Sequence, residues 1–354
     1  MKQFAMLLCY MSIFNGCNSN ENARSFSFNY SVAIESSKGK KLEMWLPLPQ
    51  SNSVQEISNI SFDSDGLSYE FKEEKDHNNK YVYIYANSGT RTTKTVVLTF
   101  DVKRFEHQNA KYDNVDPNNY LSESSMVPVG SIFDKIVKDN KLTQNNMRKV
   151  YDYVLTGMHY GKPTDDKSSK NYKYVHGGIN PKTGQEWLPS NITYGLKKKT
   201  KNELAKSQNK NKKYAYGNGN SLYACDIGVG NCTDYHSYFM SLSRTLETPA
   251  RFHMGFPIPD GKEGKVKGYH CWADYYVDGE GWYPVDISEA DKDPNKTDYF
   301  FGTVDESRVE MMTGRNFELY GYEDGRVNLF IYPILEVNDR SSSRFSKSFS
   351  YENL

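Results

Sequence analysis

The 354-residue chain carries 44 Lys plus Arg against 44 Asp plus Glu, so its net charge is zero and nothing in it suits a nucleic acid or an acidic surface. Its length is a prior for about two or three domains. The apolar fraction is low while aromatic residues reach 14%, so the cores are expected to be half-buried sheets of Tyr and Phe in which each tyrosine hydroxyl finds a partner.

Met1-Lys2-Gln3 leads into an apolar run from Phe4 to Phe14, followed by Asn15-Gly16-Cys17. A basic start and an apolar stretch too short to span a bilayer read as a secretory signal. The Cys17 context resembles a bacterial lipoprotein cleavage site. That resemblance implies lipidation of Cys17, a tether ending at Arg24, and anchoring to the cell envelope at the outer membrane or cell surface. Ordinary cleavage near Gly16 would instead leave a secreted or periplasmic protein. No later segment is long or apolar enough to cross a membrane.

Residues 25–110 alternate with period two, as in Phe26, Phe28, Tyr30, Val32 and Ile34, in Tyr81, Tyr83 and Tyr85, and in Val96, Leu98, Phe100 and Val102. Repeated short strands of this kind predict an all-β sandwich. Its tyrosine faces have the chemistry to take a glycan or a protein partner, although such stripes are more often core. Residues 111–142 read as a linker with a short helix. Thr143 is a candidate cap for a helix carrying Met147, Val150, Tyr151, Val154, Leu155 and Met158 on one face. A polar insertion rich in Lys, Asn, Ser and Gly fills 161–213, either as a flap or as a surface excursion.

The stretch Gly228-Val229-Gly230-Asn231-Cys232-Thr233-Asp234-Tyr235-His236 predicts a loop running into a helix. Asn231 is placed to cap that helix, and Asp234 can reach back to the cap's own N–H. Cys232 then falls at the first helical position, where the helix dipole and unpaired N–H groups favour a thiolate. Tyr235, Phe239, Leu242 and Leu246 give the helix a buried face. Further on, Gly268 to Val277 and Gly281 to Asp286 flank an Asp278-Gly279 turn and predict an antiparallel hairpin, with His270 and Asp286 on neighbouring strands. His270, Trp272 and Asp274 share one strand face and Cys271 takes the other. An imidazole beside a thiol can hold it as thiolate and protonate a leaving amine, and a carboxylate on the other ring nitrogen fixes the tautomer.

Gly230-Asn231-Cys232-Thr233-Asp234, Thr248-Pro249-Ala250-Arg251-Phe252, Tyr269-His270-Cys271-Trp272-Ala273 and Gly281-Trp282-Tyr283-Pro284-Val285-Asp286 together resemble the transglutaminase-like superfamily, a branch of the papain-like cysteine-proteinase fold. The resemblance implies an α+β architecture, with the β-sandwich followed by a catalytic domain over 143–340. It also implies Cys232 as nucleophile, His270 as base and Asp286 as third member, with a peptide or protein substrate, no cofactor and no metal. Amide bonds would be broken or exchanged through a thioester. Hydrolysis is favoured over amine crosslinking because water is abundant and no amine-binding feature stands out.

The other reading is a non-catalytic surface lipoprotein that binds glycan or protein through its β domain. Gln185, Trp187 and Tyr216 are candidates for a second oxyanion donor beside the Cys232 N–H. His236, four residues after Cys232, is a rival base, and His253 reads as structural. Export would permit a Cys225–Cys271 disulfide, which spacing leaves open. A zinc set of Cys225, Cys232, His236 and Cys271 fits no common ligand spacing. Glu289, Asp291 and Asp293 read as a solvated loop, and the Ser-rich residues 341–354 as a disordered tail.

Overall fold

The computed structural model describes residues 22–164 and 178–354. Cys17 and the signal segment lie outside the described residues, as does part of the polar insertion. The chain is an α+β protein divided into two compact units, one formed by residues 22–107, 254–269 and 305–354, the other by 108–253 and 270–304. These are not the contiguous segments 25–110 and 143–340 that local patterning suggests.

The first unit holds two antiparallel sheets. In the larger, the order is Glu263–Val266, Phe345–Asn353, Ala23–Ile34, Lys94–Phe105 and Gln55–Asp63. The smaller runs Ile334–Val337, Leu42–Leu48, Lys80–Ala86 and Ser68–Glu73. The alternation holds as a burial pattern, since Phe26, Phe28, Tyr30, Val32 and Ile34 all point inward. Tyr30 shows how an aromatic core tolerates a hydroxyl: its ring packs edge-on against Phe349 at 4.6 Å, and its OH donates to the Ile331 carbonyl at 3.1 Å.

The supposed disordered tail is the central neighbour of the first strand. Phe345–Asn353 pairs antiparallel with Ala23–Ile34 from Phe26↔Asn353 to Ile34↔Phe345. Its serines mislead because they occupy the outer face, while Phe349 and Tyr351 are buried.

Among the described residues, the second unit holds the α-helices α1 (Ile132–Asn140), α2 (Met147–Gly157), α3 (Ser221–Ile227), α4 (Cys232–Thr245) and α5 (Ile287–Lys292). Helix α2 buries Met147, Val150, Tyr151 and Val154, but its cap is Asn146 rather than Thr143, with the Asn146 side chain accepting from Lys149 N at 3.1 Å. Helix α4 is the hub. Every residue from Cys232 to Ser243 is buried, so it is enclosed all round rather than on one face. Two of its buried serines bond back along the helix, Ser237 to the Thr233 carbonyl at 2.6 Å and Ser243 to that of Phe239 at 2.8 Å. Phe239 and Leu242 share one core with Tyr151, Val154, Ala273 and Tyr275.

The expected hairpin is present, with His270–Val277 and Gly281–Val285 in register from Ala273↔Val285 to Val277↔Gly281. Ala250–Pro257 borders its first strand. Among the described residues no helix is long and apolar enough to cross a membrane.

Candidate active site

The site is built at the mouth of α4. Helix α3 ends at Gly228 in the left-handed region at φ 64°, and a Cβ there would sit 2.5 Å from the Gly195 backbone nitrogen. Only glycine fits. Val229–Gly230 then pairs in parallel with His159–Tyr160, which draws Tyr160 alongside the loop. The anticipated capping box forms: Asn231 accepts from Thr233 N at 3.0 Å, and Asp234 accepts from Asn231 N at 3.1 Å. Asp234 also takes the N–H groups of Gly217 at 2.8 Å and Gly219 at 3.0 Å, pinning the loop that follows the polar insertion to the helix start. Cys232 is the first helical residue and is buried, and its N–H takes no part in these caps.

Cys232, His270 and Asp286 are brought together. His270 Nε2 lies 2.7 Å from Asp286 Oδ2, both side chains are buried, and the His270 imidazole acts on the Cys232 thiol, lowering its pKa. With Nε2 taken by the carboxylate, Nδ1 is the nitrogen left for sulfur. The Cys271 thiol depresses the pKa of Cys232 most, and the His270 side chain and its charge and the Lys292 ammonium add to it, against the opposing pull of burial. The thiol is held well below its ordinary range. Burial alone would lower His270, yet Asp286 and Cys232 outweigh it and raise the imidazole to about 10. The favoured state is a thiolate–imidazolium pair.

Asp286 is not on a strand, as the hairpin pattern suggested, but one residue past it, as the N-cap of α5. Its Oδ1 accepts from Glu289 N and Ser288 Oγ, both at 3.2 Å, which leaves Oδ2 for His270. The stretch read as a solvated acidic loop is this short helix, with Ile287, Ser288 and Ala290 buried. Asp286-Ile287-Ser288-Glu289 carries a capping signature in plain view, Asp at the cap and Glu three residues on.

Helix α5 also supplies three groups that the sequence reading did not single out for the site. Glu289 Oε1 sits 3.8 Å from His270 Nδ1 and 2.6 Å from Lys292 Nζ, and that ammonium lies 4.2 Å from the Tyr160 ring centre. Asp291 accepts from Tyr160 N at 3.0 Å, and burial pushes its carboxyl up to about 6.

Of the three oxyanion candidates, Tyr216 is beside the helix mouth, hydrogen-bonded to the Asn231 side chain. Trp187 packs on the Tyr160 ring at 5.8 Å, and Gln185 is exposed in a turn. His236, the rival base, does not turn its ring nitrogens to the sulfur: Nδ1 bonds the Cys232 carbonyl and Nε2 the Ile287 N–H.

Cys225, Cys232 and Cys271 are all free, so the Cys225–Cys271 disulfide does not form. Cys225 Sγ is turned back to the Leu222 carbonyl of its own helix at 3.4 Å, and Cys271 Sγ faces Thr233 Oγ1 at 3.7 Å.

The second unit thus sets a thiol at a helix mouth, a histidine at the start of an antiparallel strand and an aspartate just beyond the hairpin partner of that strand in one buried cluster. Residues 185–287, which contain all three, match the model of the transglutaminase-like superfamily, and this stretch of the chain is a transglutaminase-like domain. Over 346 aligned residues the chain is 23% identical to an uncharacterized protein of Haemophilus influenzae, covering 87% of this chain and 84% of that one. It shares its fold with a solved structure from Cytophaga hutchinsonii described as a "Putative Cysteine Protease", at a TM-score of 0.51 and 12% identity, over 94% of this chain and 98% of the other.

Proposed function

We propose that this protein is a cysteine acyl-transfer enzyme that breaks amide bonds in peptides or proteins. In this reading the Cys232 thiolate attacks the amide carbonyl, and the Cys232 N–H at the mouth of α4 receives the developing oxyanion. The His270 imidazolium passes its proton to the departing amine, leaving a thioester on Cys232. A water molecule, deprotonated by the now neutral His270, attacks that thioester, expels the thiolate and releases a carboxylic acid. Asp286 keeps His270 oriented throughout and offsets its positive charge.

The observation that carries the reading is the gathering of Cys232, His270 and Asp286 in one buried setting, with His270 Nε2 2.7 Å from Asp286 Oδ2. The transglutaminase-like match and the description given to the Cytophaga hutchinsonii structure support it. Hydrolysis is preferred to crosslinking because water is the abundant acceptor. Incubating the purified protein with a panel of peptide amides, with and without a primary amine, tests both points. The expected product is the free acid in both arms, absent for Cys232→Ala; unchanged turnover by that variant would refute the proposal. We further propose that the mature chain begins at a lipidated Cys17 and is held at the bacterial envelope. Intact-mass measurement of protein from membranes checks this, and an unmodified start beyond Cys17 excludes it.

A further inference from the structure

His236 is a buried histidine with two backbone partners. Its Nδ1 lies 2.7 Å from the carbonyl oxygen of Cys232, and its Nε2 lies 3.0 Å from the backbone nitrogen of Ile287. A carbonyl can only accept and an N–H can only donate, so one protonation state satisfies both: the neutral ring with its proton on Nδ1. The enclosure agrees, since burial depresses this imidazole to about 4, against the pull of Asp286.

Ile287 is the first residue of α5, and its N–H is one of the groups a helix start leaves without an intrahelical partner. Asp286, just before it, uses Oδ1 on Glu289 N and Ser288 Oγ. The His236 ring therefore spans from the nucleophile's own carbonyl to the residue that follows the carboxylate. We propose that His236 is a positioning residue: a neutral imidazole strut fixing the distance between Cys232 and Asp286, and so holding His270 between them. This deepens the acyl-transfer reading and rests on it.

The same geometry explains why His236 is not the base. Both ring nitrogens are committed to main-chain groups, and its Nε2 is 3.8 Å from Asp286 Oδ1 against 2.7 Å for His270 Nε2 to Oδ2. A second proton on His236 would break the Ile287 bond and put a competing cation beside Asp286. Staying neutral leaves the carboxylate's charge to His270.

The strut can be cut at either end. In His236→Asn the amide can still donate near the Nδ1 position, but the reach to Ile287 is lost. In His236→Gln the carbonyl can still accept from Ile287, but donation to Cys232 is lost. The measurement is the rate of iodoacetamide alkylation of Cys232 against pH, read by mass spectrometry of its peptide in the full chain, with folding followed by thermal unfolding. Both variants are expected to lose ten-fold or more at pH 6 and to shift the thiol titration toward that of a free cysteine.

Variants that fold and keep the wild-type pH profile would overturn the strut. Should both fail to fold, nitrogen NMR of the wild-type ring decides: the Nδ1–H neutral tautomer throughout pH 5–8 supports it, and an imidazolium or the Nε2–H tautomer overturns it. The parent reading fails separately, if wild-type Cys232 already titrates as an ordinary thiol and His270→Ala leaves it unchanged.

Discussion

Two buried histidine–aspartate pairs of the second unit, one made at the cap of α5 and one across neighbouring strands, differ in that the first lies beside a thiol. His270 meets Asp286 at 2.7 Å, and His253 meets Asp274 at 3.0 Å. The Trp272 ring stacks with both imidazoles, at 6.4 Å from His270 and 5.6 Å from His253. The difference lies in the third partner. Asp274 is gripped by Arg251 through Nε at 3.1 Å and also through Nη2, and that guanidinium lies 4.0 Å over the Trp282 ring. Burial would raise Asp274, but Arg251 and His253 hold it below the usual carboxylate range. Its charge is already balanced by arginine, so the pair is a structural clasp. Asp286 instead shares its oxygens between a helix cap and the His270 imidazole, which lowers the pKa of the Cys232 thiol. The same residue types therefore do different work according to what closes the chain.

The largest expected effect breaks the clasp. Asp274→Asn leaves Arg251 buried without its counter-charge, which costs about 3–5 kcal/mol, while alkylation of Cys232 in the folded fraction stays as in the wild type. Urea unfolding and the alkylation rate measure the two separately. A fall in Cys232 reactivity with stability intact would erase the distinction between the pairs. The clasp also has a sign in pH. A carboxyl depressed on folding contributes stability above its unfolded value near 3.8, and that contribution is lost as acid protonates it. Wild-type unfolding midpoints should therefore drop below that pH more steeply than those of Asp274→Asn.

Next in size is the other pair. His270→Ala should lower the alkylation rate of Cys232 at pH 6 by about 100-fold, whereas His253→Ala stays within about two-fold. The pH profile sharpens the contrast. A thiol whose pKa is lowered is already thiolate at neutral pH, so the wild-type rate is expected to be flat from about pH 6 to 8, falling only in stronger acid. In His270→Ala it should climb with pH toward the ordinary thiol range. A climbing wild-type profile would show that no ion pair forms.

How far this was legible in the sequence follows from the range of the signals. Local rules put Cys232 at a helix start and His270 in a hairpin, and the family resemblance, rather than spacing, implied that they meet Asp286. Helix α5 escaped because six residues carry little periodicity, although its Asp286-to-Glu289 capping signature was readable. The strut role of His236 left no trace in residue pattern, since its partners are main-chain groups that every residue owns. The sheet role of Phe345–Asn353 depends on pairing with Ala23–Ile34 across most of the chain, which no local window contains.

The smallest effect concerns the strand face. Alternation puts Trp272 and Asp274 toward the clasp and Cys271 toward α4, where its sulfur faces Thr233 and its thiol helps to lower the pKa of Cys232. A thiol is a weak donor, so Cys271→Ala should slow Cys232 alkylation at pH 6 only about three- to ten-fold, in line with one hydrogen bond of about 1 kcal/mol. Cys271→Ser, with a stronger O–H donor of similar size, should restore the rate. Recovery by serine would assign the effect to donation toward the thiolate. An equal loss in both variants would assign it to packing beneath the helix mouth, and the advantage of the His270 pair over the His253 pair would then rest on imidazole and carboxylate alone.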